Sequence, residues 1–284
     1  MLFLDRFKFP DGEREFDFFL SIKRKCYDNF YPFQVLPQKG FNQIDFEPIT
    51  ILYGGNGTGK STVLNIIAEK LNIQRESLYN RSSFFEDYIR LCEATLAEDL
   101  TAESKIITSD DVFNYMLNLR ALNEGIDQKR EELFDEYLDA KYSNFKMQSL
   151  DDYHKLKKVN QARSKTQSKF VRANLMDNFK GNSNGESAYH YFTQSIKGDA
   201  LYILDEPENS LSAKKQIELV SFLEEYARYE KCQFIISTHS PFLLSMRGAK
   251  IYDMDASPVD VKHWTELESV RTYQQFFKKH EQDF

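Results

Sequence analysis

The sequence is short of the features that mark secreted, membrane-borne and disulfide-stapled chains. Its three cysteines, Cys26, Cys92 and Cys232, are far apart and in no metal-ligand spacing, which fits a reducing compartment better than a disulfide framework. No window of about twenty residues is apolar enough to span a bilayer. Asp5 and Arg6 interrupt the start before any signal-peptide core can form. A cytoplasmic location without a membrane partner is therefore expected. Tryptophan is reduced to one residue, yet 24 Phe and 16 Tyr supply bulk for a large core, which excludes a disordered chain. There is no excess of positive charge: the formal net charge is −7, so any nucleic-acid contact has to come from a local patch. Internal repeats and low-complexity tracts are lacking too. A length of 284 residues suits one large domain or two small ones.

Several elements read directly from residue type and spacing. "LFLDRFKF" and "EFDFFLSIKRK" read as N-terminal strands joined by a "PDGE" turn, and "ITILY" as a strand. "ALYILDEPENSL", "QFIISTHS" and "AKIYDMD" read as further strands, and "VRTYQQFFKKHEQDF" as a C-terminal helix. After "ALYILDEPENSL" a helix is expected with Ile217, Val220, Leu223 and Ala227 on one face. From Glu76 to about residue 182, glycine almost vanishes and charged residues crowd into helical runs such as "DQKREELFDEYLDAKY". The expectation is a single α/β domain over residues 1–284, a mixed sheet with N-terminal antiparallel strands, and a helical subdomain inserted at 76–182.

The densest chemical signal is "LYGGNGTGKST". Gly54 to Ser61 match G-x-x-x-x-G-K-[ST] between a strand and a helix, the setting in which backbone N–H groups curl around phosphates. Gly54, Gly55, Asn56, Gly57, Thr58, Gly59, Lys60, Ser61 and Thr62 are the candidate nucleotide loop. Lys60 is placed to reach the β- and γ-phosphates and Ser61 to ligate Mg²⁺. "LYILDEPE" puts Asp205 and Glu206 at the end of an apolar strand, where open α/β sheets bind ligands. Asp205 is the second metal candidate, and Glu206 the candidate to accept a proton from an attacking water. "IISTHS" ends a further apolar strand in His239, about 34 residues after Asp205, so a parallel neighbour would bring it to the same phosphates. "NSNGES", Asn182 to Ser187, opens a helix about 22 residues before Asp205; alone it reads equally as an ordinary helix cap.

In this order the pieces resemble the ATP-binding-cassette ATPases, the P-loop NTPases of ABC type, and within them the soluble, AAA-labelled branch that includes RecF-like and chromosome-maintenance ATPases. "GGNGTGKST" resembles Walker A and "LYILDEPE" Walker B. "SNGES", with Ser183, Asn184, Gly185 and Glu186, resembles the signature, and "NSLS", with Asn209 and Ser210, the D-loop. "STHS" resembles the segment of the switch histidine. Against the usual L-S-G-G-Q pattern, Ser183 and Gly185 match while Asn182, Asn184 and Glu186 differ. The lid glutamine is replaced by Ser109 and Asp110 in "SKIITSDDVF". The resemblance implies ATP and Mg²⁺ as cofactors, adenine contact by an upstream aromatic (Tyr31 or Phe33), and ATP hydrolysis. It also implies an ATP-dependent homodimer in which the signature of one copy closes over the nucleotide of the other.

What the switch acts on is left open among three readings. "KLKKVNQARSKTQSKFVR", Lys155 to Arg172, carries seven Lys or Arg and no acid. It is either a solvated face, paired with the acidic run before it, or a grip on duplex DNA. The second reading is a regulatory ATPase for a separately encoded effector, such as a toxin or nuclease in a bacterial antiviral defence module. The third is a nucleotide-dependent scaffold without significant turnover.

Overall fold

The computed structural model describes residues 1–22, 27, 29–145, 152–176 and 183–284. The chain divides into two compact units, Met1–Phe113 with Asn184–Phe284, and Asn114–Ser183. The first unit holds two sheets. In the smaller, β1 (Leu4–Lys8) lies between β2 (Gln43–Asp45) and β4 (Glu93–Leu96), antiparallel to both. The larger contains β3 (Ile49–Tyr53), β5 (Lys105–Thr108), β6 (Leu201–Asp205), β7 (Gln233–Thr238), β8 (Lys250–Asp253) and β9 (Asp260–Val261). Its order is β5-β6-β7-β3-β8-β9, parallel throughout except for β9.

Every residue of β3 and β7 is buried, and so is β6 up to Asp205. Strands covered on both faces favour apolar residues at most positions, so these three read as near-continuous runs, with Thr50, Gln233, Ser237 and Thr238 as buried polar exceptions. Register places Tyr53 opposite Thr238, Ser237 opposite Asp205, and Asp205 opposite Thr108. Four strand ends therefore finish level, at the edge where parallel sheets present their loops to ligands. The helix α2 (Lys60–Lys70) follows β3 and buries Val63, Leu64, Ile66 and Ile67 against the sheet.

The stretch "EFDFFLSIKRK" is not a strand. It is the helix α1 (Gly12–Ser21), and Lys23 to Cys26 lie outside the described residues. Asp11, read as part of a turn, is its N-cap and accepts from the Arg14 N–H at 2.9 Å. The inward residues are Glu15, Phe18, Phe19 and Ile22, a helical period that the aromatic content masked. Phe18 stacks on Phe33 with ring centroids 4.5 Å apart. Glu15 is buried, accepts from the Gln34 N–H at 2.8 Å through Oε2, and has no partner for Oε1 among the described residues.

Burial pushes the Glu15 carboxyl up to about 7, against the backbone bond from Gln34, from an ordinary 4.5. A folded-state value above the unfolded one means the folded protein holds its proton longer, so stability falls as pH rises from about 4.5 to 7. Glu15→Gln keeps an acceptor for Gln34. It is expected to remove this slope and to raise stability at pH 8 by about 1–3 kcal/mol, read from urea midpoints at pH 5 and pH 8.

The segment from Glu76 onward, read as helical, also contributes strands: β4 and β5 lie within it, separated from one another by a short connection. Both pair with strands far away in sequence, and that pairing outweighs the local charged composition. Between β2 and β4 in the chain, α3 (Phe85–Leu91) buries Phe85 and Tyr88. The helix α4 (Ser109–Tyr142) starts in the first unit and runs into the second. In the second unit, α5 (Tyr153–Ser164) and α6 (Gln167–Asn174) share a core of Ala162, Phe170 and Val171 with Leu133 and Tyr137 of α4.

Back in the first unit, α7 (Asn184–Ser195) precedes β6 and α8 (Ala213–Tyr229) follows it. The buried positions of α8 are Leu219 and Leu223, whereas Ile217 is 52% exposed. The apolar face is thus rotated from the one expected, because Leu219 and Leu223, one turn apart, set the stripe. The short α9 (Pro241–Leu244) follows β7, and the C-terminal α10 (Glu268–Lys279) is helical as read. Cys92 and Cys232 are free and buried, with Cys26 outside the described residues. Among the described residues no helix is long and apolar enough to cross a membrane.

Candidate active site

The loop between β3 and α2 wraps a cavity of about 300 Å³ lined by Asn56, Gly57, Thr58, Gly59, Lys60, Ser61 and Thr62, with Glu206 opposite. Gly59 has φ of +95°, and a Cβ there would also meet Val35 Cγ1 at 3.2 Å, so a glycine is required on both counts. Lys60 is 4% exposed, yet among the described residues its Nζ is held only by the carbonyls of Gly54 (2.8 Å) and Gly55 (3.0 Å) and by Glu206 Oε1 at 3.8 Å. A buried ammonium folded back on its own loop is poised to turn to an anion in the cavity.

At the end of β6, two strands over from β3, Asp205 Oδ1 accepts from Ser61 Oγ at 3.1 Å and from the Ser237 hydroxyl. Burial pushes the Asp205 carboxyl up, against the pull of these two hydroxyls. A buried carboxylate with hydroxyl partners and a raised pKa is a site where a cation would reverse the balance. Among the described residues no group of three or more His, Cys, Asp or Glu is placed to hold a metal. The Ser61–Asp205 pair nonetheless fits Mg²⁺, which takes one or two protein oxygens together with substrate phosphates. Thr108, Ser109 and Asp110, at the end of β5, line a second cavity of about 470 Å³ with Ser61 and Asp205. The residues standing in place of the lid glutamine are therefore on the Ser61–Asp205 side of the loop. Asp111 instead turns inward, accepting from Thr108 N at 2.7 Å and Thr108 Oγ1 at 2.9 Å.

Glu206 adopts φ of +49°, a region disfavoured for any residue with a side chain, at about 1–3 kcal/mol. Its N–H is held by Ser237 O and Ser237 Oγ, both at 3.1 Å, and Asn209 Nδ2 donates to its Oε2 at 3.2 Å. The turn aims the carboxylate at Lys60. His239 follows Thr238 at the end of β7, and its side chain is 49% exposed. Asn184, Gly185 and Glu186 open α7 and line neither cavity at the phosphate loop. A Cβ on Gly185 would lie 3.3 Å from the Ser210 carbonyl oxygen, so signature and D-loop segments touch through backbone. Ser183 precedes α7, and Asn182 lies outside the described residues. Of the two aromatics considered for adenine, Phe33 is buried in the core, while Tyr31 lines both cavities and donates to Thr62 Oγ1 at 3.1 Å.

Three site residues escaped the sequence reading. Asp255 accepts from Gly55 N through both carboxylate oxygens, at 2.9 and 3.1 Å, and so pins the start of the loop. Ser237 holds Asp205 and the Glu206 N–H. Glu208, 7% exposed, accepts from Thr238 Oγ1 at 2.6 Å and from His239 N at 3.0 Å. The third acid of "DEPE" was a visible signal for Glu208; for Asp255, only an acid beyond a strand end could have hinted.

Comparison with known proteins agrees with this geometry. No curated protein sequence shows a significant match. Among solved structures, an Smc head domain from Pyrococcus furiosus, bound to the C-terminal domain of ScpA, is 13% identical with a TM-score of 0.41, over 82% of this chain and 94% of that one. A bacterial ABC transporter cassette solved as a dimer is 16% identical with a TM-score of 0.37, over 78% and 90%. A family model for an AAA domain, whose description names the AbiEii toxin and type IV toxin–antitoxin systems, matches residues 188–245. A model described as ABC transporter matches residues 43–209, from β2 through the phosphate loop to the acidic end of β6. With more than half of its length in that match, the chain belongs to the ABC-type ATPase family.

Proposed function

We propose that this chain is a Mg²⁺-dependent ATPase switch that closes as a head-to-tail homodimer around two ATP and drives or regulates a separate partner. The observation that carries the reading is that Lys60, Ser61 and Glu206 line one cavity while Asp205, bonded to Ser61 at 3.1 Å, lines the second cavity that shares Ser61. In this reading the loop N–H groups and Lys60 take the β- and γ-phosphates. Ser61 and Asp205 hold Mg²⁺, which supplies charge neutralisation to the transferred phosphoryl group. Glu206 accepts a proton from the attacking water. His239, at the end of β7, is assigned to the γ-phosphate; in this chain it lines the neighbouring cavity with Glu208, not the two at the phosphate loop. Ser183, Asn184, Gly185 and Glu186 complete the site of the second copy. Phosphate release from ATP by the wild type, set against Glu206→Gln, tests the reading.

For the partner, a specific observation favours DNA. Helices α5 and α6 turn Val159, Ala162, Phe170 and Val171 inward and leave Lys155, Lys157, Lys158, Arg163, Lys169 and Arg172 exposed. Lys158 is paired with Glu136 at 2.6 Å and Arg163 donates to Ser143 O, so the acidic run answers only part of the basic one. If this face grips duplex, log K should fall with log salt, and neutralising Lys157, Lys158, Arg163 and Lys165 together should lower the slope by about 3 to 4. Binding without a salt slope, measured by anisotropy, would remove DNA from the account. The alternative partner, an effector in a bacterial defence module, draws on the match of residues 188–245 to a model whose description names a toxin–antitoxin system. A scaffold without turnover is the least favoured reading, because Asp205 and Glu206 are both in place.

A further inference from the structure

Behind His239 lies a cavity of about 530 Å³ that no step of the nucleotide chemistry uses. Trp264, Tyr273 and Phe277 form aromatic walls, and Tyr273 and Phe277 are 47% and 54% exposed at its rim. Glu208 contributes to the wall, and no lysine or arginine does. Its carboxylate is divided in use. Oε1 accepts from Thr238 Oγ1 and from the His239 N–H, and stands 3.6 Å from His239 Nδ1. Oε2 is buried and has no hydrogen-bond partner among the described residues. A buried carboxylate oxygen left unpaired is costly, and the nearby polar side chain of Gln216 is already committed to Ser240 Oγ and Leu211 O. Aromatic walls beside a carboxylate with one oxygen still without a hydrogen-bond partner complement a cation on an apolar stem.

We propose that this cavity seats a lysine or arginine side chain, flanked by apolar residues, of a separate protein partner. The aromatic walls take the stem, and Glu208 Oε2 takes the charge. Because the same carboxylate holds the backbone of His239, occupancy of the cavity is felt at the end of β7. The inference does not depend on ATP turnover, and its test needs no nucleotide.

Trp264 is the one tryptophan of the chain, so its emission reports on the cavity. Benzamidine, an amidinium on a phenyl ring, is the probe, and benzamide its uncharged counterpart. A saturable change with benzamidine is expected, at least ~10-fold weaker with benzamide and at least ~10-fold weaker in Glu208→Gln, as loss of a buried charge-assisted contact requires. Phe277→Ala, at the exposed rim, should weaken binding several-fold and serves if the Glu208 variant does not fold. An amidated Leu-Arg-Leu peptide should displace the probe, and Leu-Gln-Leu should not. Equal affinity for benzamide, an unchanged response in both variants, or failure of the arginine peptide to compete would overturn the proposal. So would an emission change that tracks protein concentration alone, which would assign the cavity to a second copy of the chain.

Discussion

Lys60→Ala is expected to weaken ATP binding by about 10²–10⁴-fold, the loss of two charge-assisted phosphate contacts at about 1.5–3 kcal/mol each. The reasoning starts from burial. Lys60 is 4% exposed and among the described residues reaches only two carbonyls and a carboxylate 3.8 Å away, so an incoming phosphate becomes its main partner. The fold should tolerate the change, because the apolar face of α2, Val63, Leu64, Ile66 and Ile67, is untouched. Binding of a fluorescent ATP analogue, with unfolding midpoints as control, checks it. A loss of less than about threefold would mean that the loop does not hold phosphate as assigned.

Glu206→Gln separates binding from chemistry. The side chain is isosteric, Asn209 still has a partner, and the +49° turn is shared by both residues. What is lost is the capacity to take a proton from water, worth about 10²–10⁴-fold in general-base catalysis. Single-turnover hydrolysis should slow by that factor, while ATP affinity holds or rises as one negative charge leaves the cavity facing the phosphates. Equal losses in affinity and rate would instead give Glu206 a structural part.

How far the sequence foretold the site follows from where each residue finds its partners. The glycine loop, "LYILDE" and "IISTHS" were legible because a buried parallel strand demands an apolar run and ends where ligands bind. Glu15 to Ile22 were misread because three phenylalanines and a leucine suit a strand by type, while their spacing, set off by the Asp11 cap, is helical. Asp255 was not legible as a site residue, and Glu208 was visible as an acid of "DEPE" without its partners being legible. The first meets its partner 200 residues away, and the second acts across strands whose register only the fold supplies. Ser109 and Asp110 were seen as a departure from the family pattern, and their place beside Ser61 and Asp205 emerged only from the pairing of β5 with β6.

The central claim is that one chain holds half of a site and a second copy completes it. The most direct measurement is the mass in solution of the Glu206→Gln variant with ATP and Mg²⁺, by sedimentation velocity. A dimer with ATP that returns to monomer with ADP is the predicted result; a monomer at saturating ATP would contradict it.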